Sequence, residues 1–237
     1  MALREVEMDF EHSNQSHWIP MADLMTGLMM VFMLLTAAFM LRVEQTTTLV
    51  VKEYETTKRD MQLALQKEFA KDLQQWNAEI LGDMTIRFND PTVLFATGSS
   101  ELRPRFKQVL GQFFPRYVAL LTSAQYKDAV KEIRIEGHTS ALWTGTTDEK
   151  IAYFRNMELS QARTRSALEY LLSLPAVQGN EKWLVQHVTA NGLSSSRPLA
   201  QDSQSAASQI ANQRVEFRIV TNASEKMDLI AEKLAKK

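Results

Sequence analysis

The sequence predicts an α+β protein: a single N-terminal transmembrane helix, a helical stalk, and a domain in which helices pack on one sheet. Three observations carry this reading. Residues 19–41 are one apolar run with a single charge, residues 43–81 hold neither Pro nor Gly and repeat apolar positions at helical spacing, and strand-like and helix-like runs alternate from about residue 83. Charge nearly balances over the 237 residues, with 27 Lys+Arg against 28 Asp+Glu, so no nucleic-acid partner is expected. Cysteine is absent, which excludes a disulfide scaffold, a thiolate metal site and a cysteine nucleophile.

The apolar run reads IPMADLMTGLMMVFMLLTAAFML. At about 1.5 Å per residue it reaches roughly 34 Å, enough for a hydrocarbon core of about 30 Å. A cleaved signal peptide wants a basic start, whereas the first twelve residues are acidic, and a core helix is rarely apolar all round for so long. Asp23 is its one charge. A carboxylate in hydrocarbon costs about 2.5–3.5 kcal/mol, and such acids mark ion pathways or polar pairings. The alternative, snorkelling to the interface, suits a side chain longer than Asp. Thr26 and Gly27 lie one turn on, on or near the same face, where small residues allow close helix packing. One span cannot enclose an ion path, so a partner must supply the opposite wall.

In the stalk, residues 42–82, the positions Met61, Leu65, Phe69, Leu73, Trp76 and Ile80 recur at steps of 4, 4, 4, 3 and 4, one face of a helix, and Gly82 is placed to cap its end. Residues 46–51 are largely β-branched and weaker helix formers. The stripe is not a strict heptad. Self-pairing in a dimer is the simplest way to cover it; packing onto the following domain is the alternative.

The domain, residues 83–223, shows strand-like runs at 84–88, 132–136, 184–190 and 215–220. Helical runs stand at 104–121, interrupted at Pro115, at 160–172 and at 203–210, and an amphipathic helix with Met227, Leu229, Ile230 and Leu234 closes the chain over 224–237. Gly137 permits a tight exit from the second strand. Ser160 is a candidate N-cap that puts Arg163 in a first helical turn beside free N–H groups, a carboxylate-binding corner. His138 reads as a turn residue. Four His without ligand spacing predict no metal site, and Glu136, His138 and Asp148 form no nucleophile–base set or carboxylate pair, so the chain is expected not to be an enzyme.

Two resemblances add to this. Trp18-Ile19, Ala22-Asp23-Leu24-Met25-Thr26, Leu28-Met29 and Phe32 resemble the span of MotB-type stator proteins, departing from it at Pro20-Met21. That resemblance implies Asp23 as ion carrier, Thr26 as its neighbour on the path, a homodimer, a ring of MotA-like subunits, and H⁺ or Na⁺ as the transported ion with no other cofactor. The segment Ile133-Arg134-Ile135-Glu136-Gly137-His138-Thr139, then Asn156, Leu159, Ser160 and Arg163, is similar to the OmpA-like peptidoglycan-binding domain, an α/β sandwich. Phe95, Ser99 and Leu102, then Gly192, Ser196, Arg197 and Pro198, then Asn212, Arg214, Val215 and Glu216 match its other motifs in order.

The second likeness implies peptidoglycan binding through Arg163, with Asn156, Leu159, Thr139 and Ser140 around it. Ser140 stands where that family has an aspartate that grips diaminopimelate together with the arginine; Asp148 or Glu149 is the candidate replacement. Thr139-Ser140 followed by Trp143, with Tyr153 ahead of Asn156, makes the chain most similar to the ZorB-type, MotB-like components of Zorya anti-phage defence systems, whose ring partner is ZorA-like. A flagellar-type stator and a passive membrane-to-wall anchor are the other readings. Only Arg4 precedes the span while Arg42, Lys52, Lys58 and Arg59 follow it, which alone would keep the C-terminal side in the cytoplasm. That rule is weak for long translocated domains. The resemblance therefore sets the expected orientation: residues 1–18 cytoplasmic, a single pass through the bacterial inner membrane, the domain periplasmic.

Overall fold

The computed structural model describes residues 2–200 and 205–222. The helix expected over 224–237 lies outside the described residues. The chain divides into two compact units, one containing Met1–Glu53 and the other Tyr54–Lys226. Helix α1, Ala2–Phe69, contributes to both. Within the first unit, Pro20–Gln45 is long and apolar enough to cross a membrane, and none of it is buried inside the protein. A helix with an apolar surface on every side and no protein cover is a helix suited to lipid.

The second unit starts on the last turns of α1. Met61, Leu65 and Phe69 are fully buried in the core of this unit, and Trp76 joins them. The expected stalk helix over 43–81 therefore ends early, at Phe69, and Gly82 caps nothing helical. The cause is tertiary. In a continuous helix Phe69 and Trp76 would stand about 10 Å apart; here their ring centroids are 6.0 Å apart and both pack on Phe113, at 5.3 and 6.2 Å. Asn77 takes the left-handed φ of 49° that lets the chain turn, a conformation Asn tolerates. The stripe is thus covered by its own domain, the second of the two ways open to it.

Strand β1, Ala78–Ile80, which the helical spacing hid, pairs antiparallel with β2, Ile86–Phe88. With β3 (Val130–His138), β4 (Val188–Gly192) and β5 (Arg214–Thr221) they form a five-stranded sheet of order β1-β2-β5-β3-β4, antiparallel except for the β3–β4 pair. The strand expected over 184–190 starts only at Val188, because Leu184 lies in a short helix, Glu181–His187. Alternation along the strands gives two faces. Ile86, Phe88, Ile133, Ile135, Val215, Phe217 and Ile219 are buried in the core, while Arg87, Glu136, Arg214, Glu216 and Arg218 occupy the alternate positions.

The helices α2 (Pro91–Leu94), α3 (Pro104–Leu121) and α4 (Glu149–Ser173) come next, then α5 (Glu181–His187) and α6 (Ala206–Asn212). Helix α3 runs unbroken through Pro115 despite a cost of about 3 kcal/mol for an interior proline. Phe113, Phe114, Tyr117 and Val118 on either side are buried, and Phe217 meets Phe113 at 5.1 Å and Tyr117 at 6.3 Å, so packing outweighs the proline.

Because Leu65 sits in the domain's core, Leu65→Ala is expected to lower the domain's unfolding free energy by about 2–5 kcal/mol. Urea unfolding followed by tryptophan fluorescence checks this. The loss should not depend on protein concentration, as it would if the stripe were a dimer contact.

Candidate functional site

Helix α4 builds the site, and it starts eleven residues before the expected cap at Ser160. Asp148 is the N-cap: its Oδ1 accepts from the backbone N–H of Lys150 at 2.9 Å and of Ile151 at 3.1 Å. Ser160 is therefore mid-helix and fully buried, and the carboxylate-binding corner expected at a helix start is not there. Asn156, Ser160, Arg163, Thr164, Ala167 and Leu171 form instead the buried stripe of α4.

Two glycines let this stripe reach the sheet. A Cβ on Gly137 would lie 2.7 Å from Thr164 Cγ2 and 2.9 Å from the Ser160 carbonyl oxygen; one on Gly192 would lie 2.3 Å from the Gln161 nitrogen. Gly137 is thus inside β3 for close approach of the helix, not for a turn. Gln161 uses that closeness: its Nε2 donates to the Ala190 carbonyl at 3.0 Å and its Oε1 accepts from Gly192 N–H at 2.7 Å, satisfying the outer edge of β4.

Arg163 is only 8% exposed. Its Nε donates to the Ser99 carbonyl at 2.9 Å and an Nη2 hydrogen to that of Ala96 at 3.1 Å, while the guanidinium lies over Phe95, 4.9 Å from the ring centre. Among the described residues it has no carboxylate partner. Burial alone pulls its pKa down, to about 10. The arginine lines a cleft of about 10 Å³ with Phe95, Gly137, His138, Gln213 and Arg214, room for about one water molecule.

The other expected site residues fall around it unevenly. Asn156 is buried and its Nδ2 donates to the Leu142 carbonyl at 3.1 Å, fastening the loop between β3 and α4. Thr139 is buried, its N–H bonded to the Ser194 carbonyl at 3.0 Å and its hydroxyl without a hydrogen-bond partner. Ser140 and Leu159 are half-buried and do not line the cleft. Asp148 caps α4 through its Oδ1 and stays exposed, as does Glu149, the other candidate for the acid missing at Ser140. Asp23 and Thr26 belong to the first unit. Asp23 is exposed there, and the Thr26 hydroxyl donates to the Ala22 carbonyl at 2.7 Å, leaving oxygen lone pairs to face a neighbour.

Sequence reasoning missed the charges behind the cleft. Glu216, 1% exposed, accepts from Arg214 Nε at 2.7 Å and Arg87 Nε at 2.8 Å. Arg218 bridges Glu216 at 3.4 Å and Glu136 at 3.2 Å, two acids that sit directly opposite each other on β5 and β3. Arg197 reaches Glu136 at 3.5 Å. Burial disfavours the charged form of Glu216, but His138, Arg214 and Arg87 together outweigh it and hold the carboxyl well below the usual carboxylate range. His138 is the last residue of β3, buried, with neither ring nitrogen hydrogen-bonded; Nε2 stands 3.6 Å from Glu216. Burial pushes its pKa down, aided by Arg214 and opposed by Glu216 and Glu136. Glu136, His138 and Glu216 bring ligand-type atoms within 4.8 Å of one another, yet the arginines already on these carboxylates make the spot a poor cation holder. The legible signal was period-2 charge: Arg214, Glu216 and Arg218 on one strand, Glu136 and His138 on another.

Residues 94–214 match the OmpA family model. Over 214 residues the chain is 44% identical to the Zorya protein ZorB of Escherichia coli, covering 89% of this chain and 90% of that protein. The chain belongs to the ZorB family. Among solved structures, a putative MotB-like protein from Desulfovibrio vulgaris aligns at 22% identity over 74% of this chain and 98% of its own, with a TM-score of 0.49. The cell wall anchor of the type VI secretion system of Pseudomonas aeruginosa aligns at 21% over 66% and 96%, with a TM-score of 0.47. Arg163 and Arg214, both within or at the end of the matched range, line the same cleft.

Removing one partner of the buried network strands the others. Glu216→Gln is expected to destabilise the domain by about 3–5 kcal/mol, measured by chemical unfolding. The pH dependence follows from two depressed values. Glu216 is lower in the folded than in the unfolded state, so its contribution is complete above an unfolded pKa of about 4.3 and lost as pH falls towards the folded one. His138 is also lower when folded, so below about pH 6.5 protons favour the unfolded chain. Thermal unfolding from pH 8 to pH 4 should show stability falling in acid, starting near pH 6.5, with His138→Gln removing the first part of the fall.

Proposed function

We propose that this chain is the peptidoglycan-anchored, MotB-like subunit of an ion-driven motor in the bacterial inner membrane, acting in anti-phage defence. The observation that carries the anchoring half is Arg163: a buried guanidinium without a carboxylate partner among the described residues, lining a cleft beside a second arginine. Such a group is arranged for a carboxylate from outside, and peptide stems of the wall carry carboxylates. Membership of the ZorB family and the OmpA-family match support the same ligand.

The motor half rests on Asp23, an acid in the apolar stretch of α1, with Thr26 on its face. Two copies pair within a ring of MotA-like, ZorA-like subunits. Asp23 of each copy faces the ring and loads and releases H⁺ or Na⁺. A potential of 100 mV supplies about 2.3 kcal/mol per charge, enough to drive a ratchet of small steps. The N-terminus lies in the cytoplasm and the OmpA-family domain in the periplasm, where wall attachment supplies the reaction torque. The chain itself performs no bond-making or bond-breaking step.

Phage plating in cells carrying the neighbouring genes tests this at matched membrane levels of each variant. Asp23→Asn and Arg163→Ala are each expected to remove protection by at least 100-fold. Protection that survives Asp23→Asn but not Arg163→Ala would replace the motor with a passive anchor. A wild type that never protects but restores swimming to a stator-deleted strain would move the motor to motility.

A further inference from the structure

We propose that residues 96–101 form a lid that Arg163 holds shut and that wall binding lifts. This rests on the wall-binding reading above and concerns how that site is reached.

Arg163 is only 8% exposed, and the cleft it lines has room for about one water molecule. A carboxyl group is larger than that, so something over the guanidinium moves before a peptide stem reaches it. The surroundings differ in how firmly they are held. Helix α4 is pinned by its buried stripe and by the close approaches at Gly137 and Gly192. Phe95, whose ring centre lies 4.9 Å from the guanidinium, is buried, and its ring meets that of Phe106 at 5.9 Å. Leu102 is buried too and faces Phe95 in an antiparallel bridge, which the Arg103 N–H extends by donating to the Leu94 carbonyl at 3.2 Å. Both ends of the segment between Phe95 and Leu102 are therefore fixed.

Between those ends the chain is loosely held. None of residues 96–101 is buried, and Thr97, Gly98 and Glu101 are exposed. Its internal bonds run from Ser99 N–H to the Ala96 carbonyl at 3.0 Å and from Glu101 N–H to Ser99 Oγ at 3.0 Å. Among the described residues, the hydrogen bonds that tie the segment to the rest of the domain both come from Arg163: Nε to Ser99 at 2.9 Å and Nη2 to Ala96 at 3.1 Å. A short segment with no buried side chain and so few ties opens at low cost, and its fixed ends serve as hinges.

Arg163 thus has two uses for one guanidinium. In the latched state it donates to two neutral carbonyls; a charged carboxylate competes well for the same N–H groups. When the guanidinium turns to a stem, the segment loses its ties, so wall binding and lid opening become one event. Attachment is thereby converted into an order-to-disorder change on the domain's surface.

The test compares the full chain in detergent, free and saturated with a soluble wall fragment carrying an intact peptide stem. Millisecond hydrogen exchange read by mass spectrometry follows the lid, and calorimetry reports binding of the fragment. The fragment is expected to speed amide exchange in residues 96–101 by at least 10-fold and to leave the amides of α3 unchanged. Arg163→Met, which has no donors, should show the fast lid without any fragment, with circular dichroism checking its fold. A bound fragment that leaves lid exchange unchanged or slows it overturns the proposal while wall binding stands. A folded Arg163→Met chain whose lid exchanges at the wild-type rate also overturns it. A wild type that binds no fragment overturns the wall-binding reading and this proposal with it.

Discussion

The contact on which the domain depends is that of α4 with the sheet at Gly137 and Gly192, close enough that neither position has space for a Cβ. A helix held at ordinary distance by side chains would carry Arg163 away from the carbonyls of Ala96 and Ser99. The closeness also lets a row of small polar groups lock the loops. Ser194, with φ of 52°, donates its N–H to Ser160 Oγ at 3.1 Å and its hydroxyl to the Tyr153 carbonyl at 2.8 Å, and its carbonyl accepts from Thr139. Strand end, loop and helix are thereby one rigid frame around the arginine, and such preorganisation is what lets a single buried side chain recognise a ligand.

The sheet's other face handles charge differently. Four arginines and two buried acids share hydrogen bonds there, and the acids that face each other across β3 and β5 are tolerable because Arg218 spans them while Arg87, Arg214 and Arg197 pair with one or the other. Glu136 and Glu216 are engaged in this network, and among the described residues Arg163 on the helix side has no carboxylate partner. A set of buried ion pairs and an arginine bonded to backbone carbonyls alone therefore coexist in one domain.

Much of this was legible in the sequence. The apolar helix, its acid and the main strands and helices of the domain follow from periodicity, while Arg163 was singled out through the resemblance. What was not legible has physical causes. The stalk helix stops at Phe69 because the chain turns back to set Trp76 against Phe69 and to pair residues 78–80 with β2, tertiary contacts that outweigh a clean helical spacing through Ile80. The start of α4 was misplaced at Ser160, whose hydroxyl type suits a cap, although Asp148 followed by Glu149 is the stronger signal: a cap and an acid in the first turn. Gly137 was assigned to a turn because a lone glycine cannot reveal whether it serves a conformation or a close approach. The buried network was present as alternating charge, but alternation of charge alone reads as a solvated face.

The central claim is that Arg163 is pre-placed, with donors to spare, for a carboxylate of the wall. Side-chain ¹⁵N NMR of the arginines in the full chain, with and without a soluble wall fragment carrying an intact peptide stem, addresses it most directly. The account expects the Arg163 signals to shift strongly, those of Arg214 to follow because it lines the same cleft, and those of Arg87 and Arg218 to stay in place. Binding of the fragment that leaves Arg163 unmoved would contradict it.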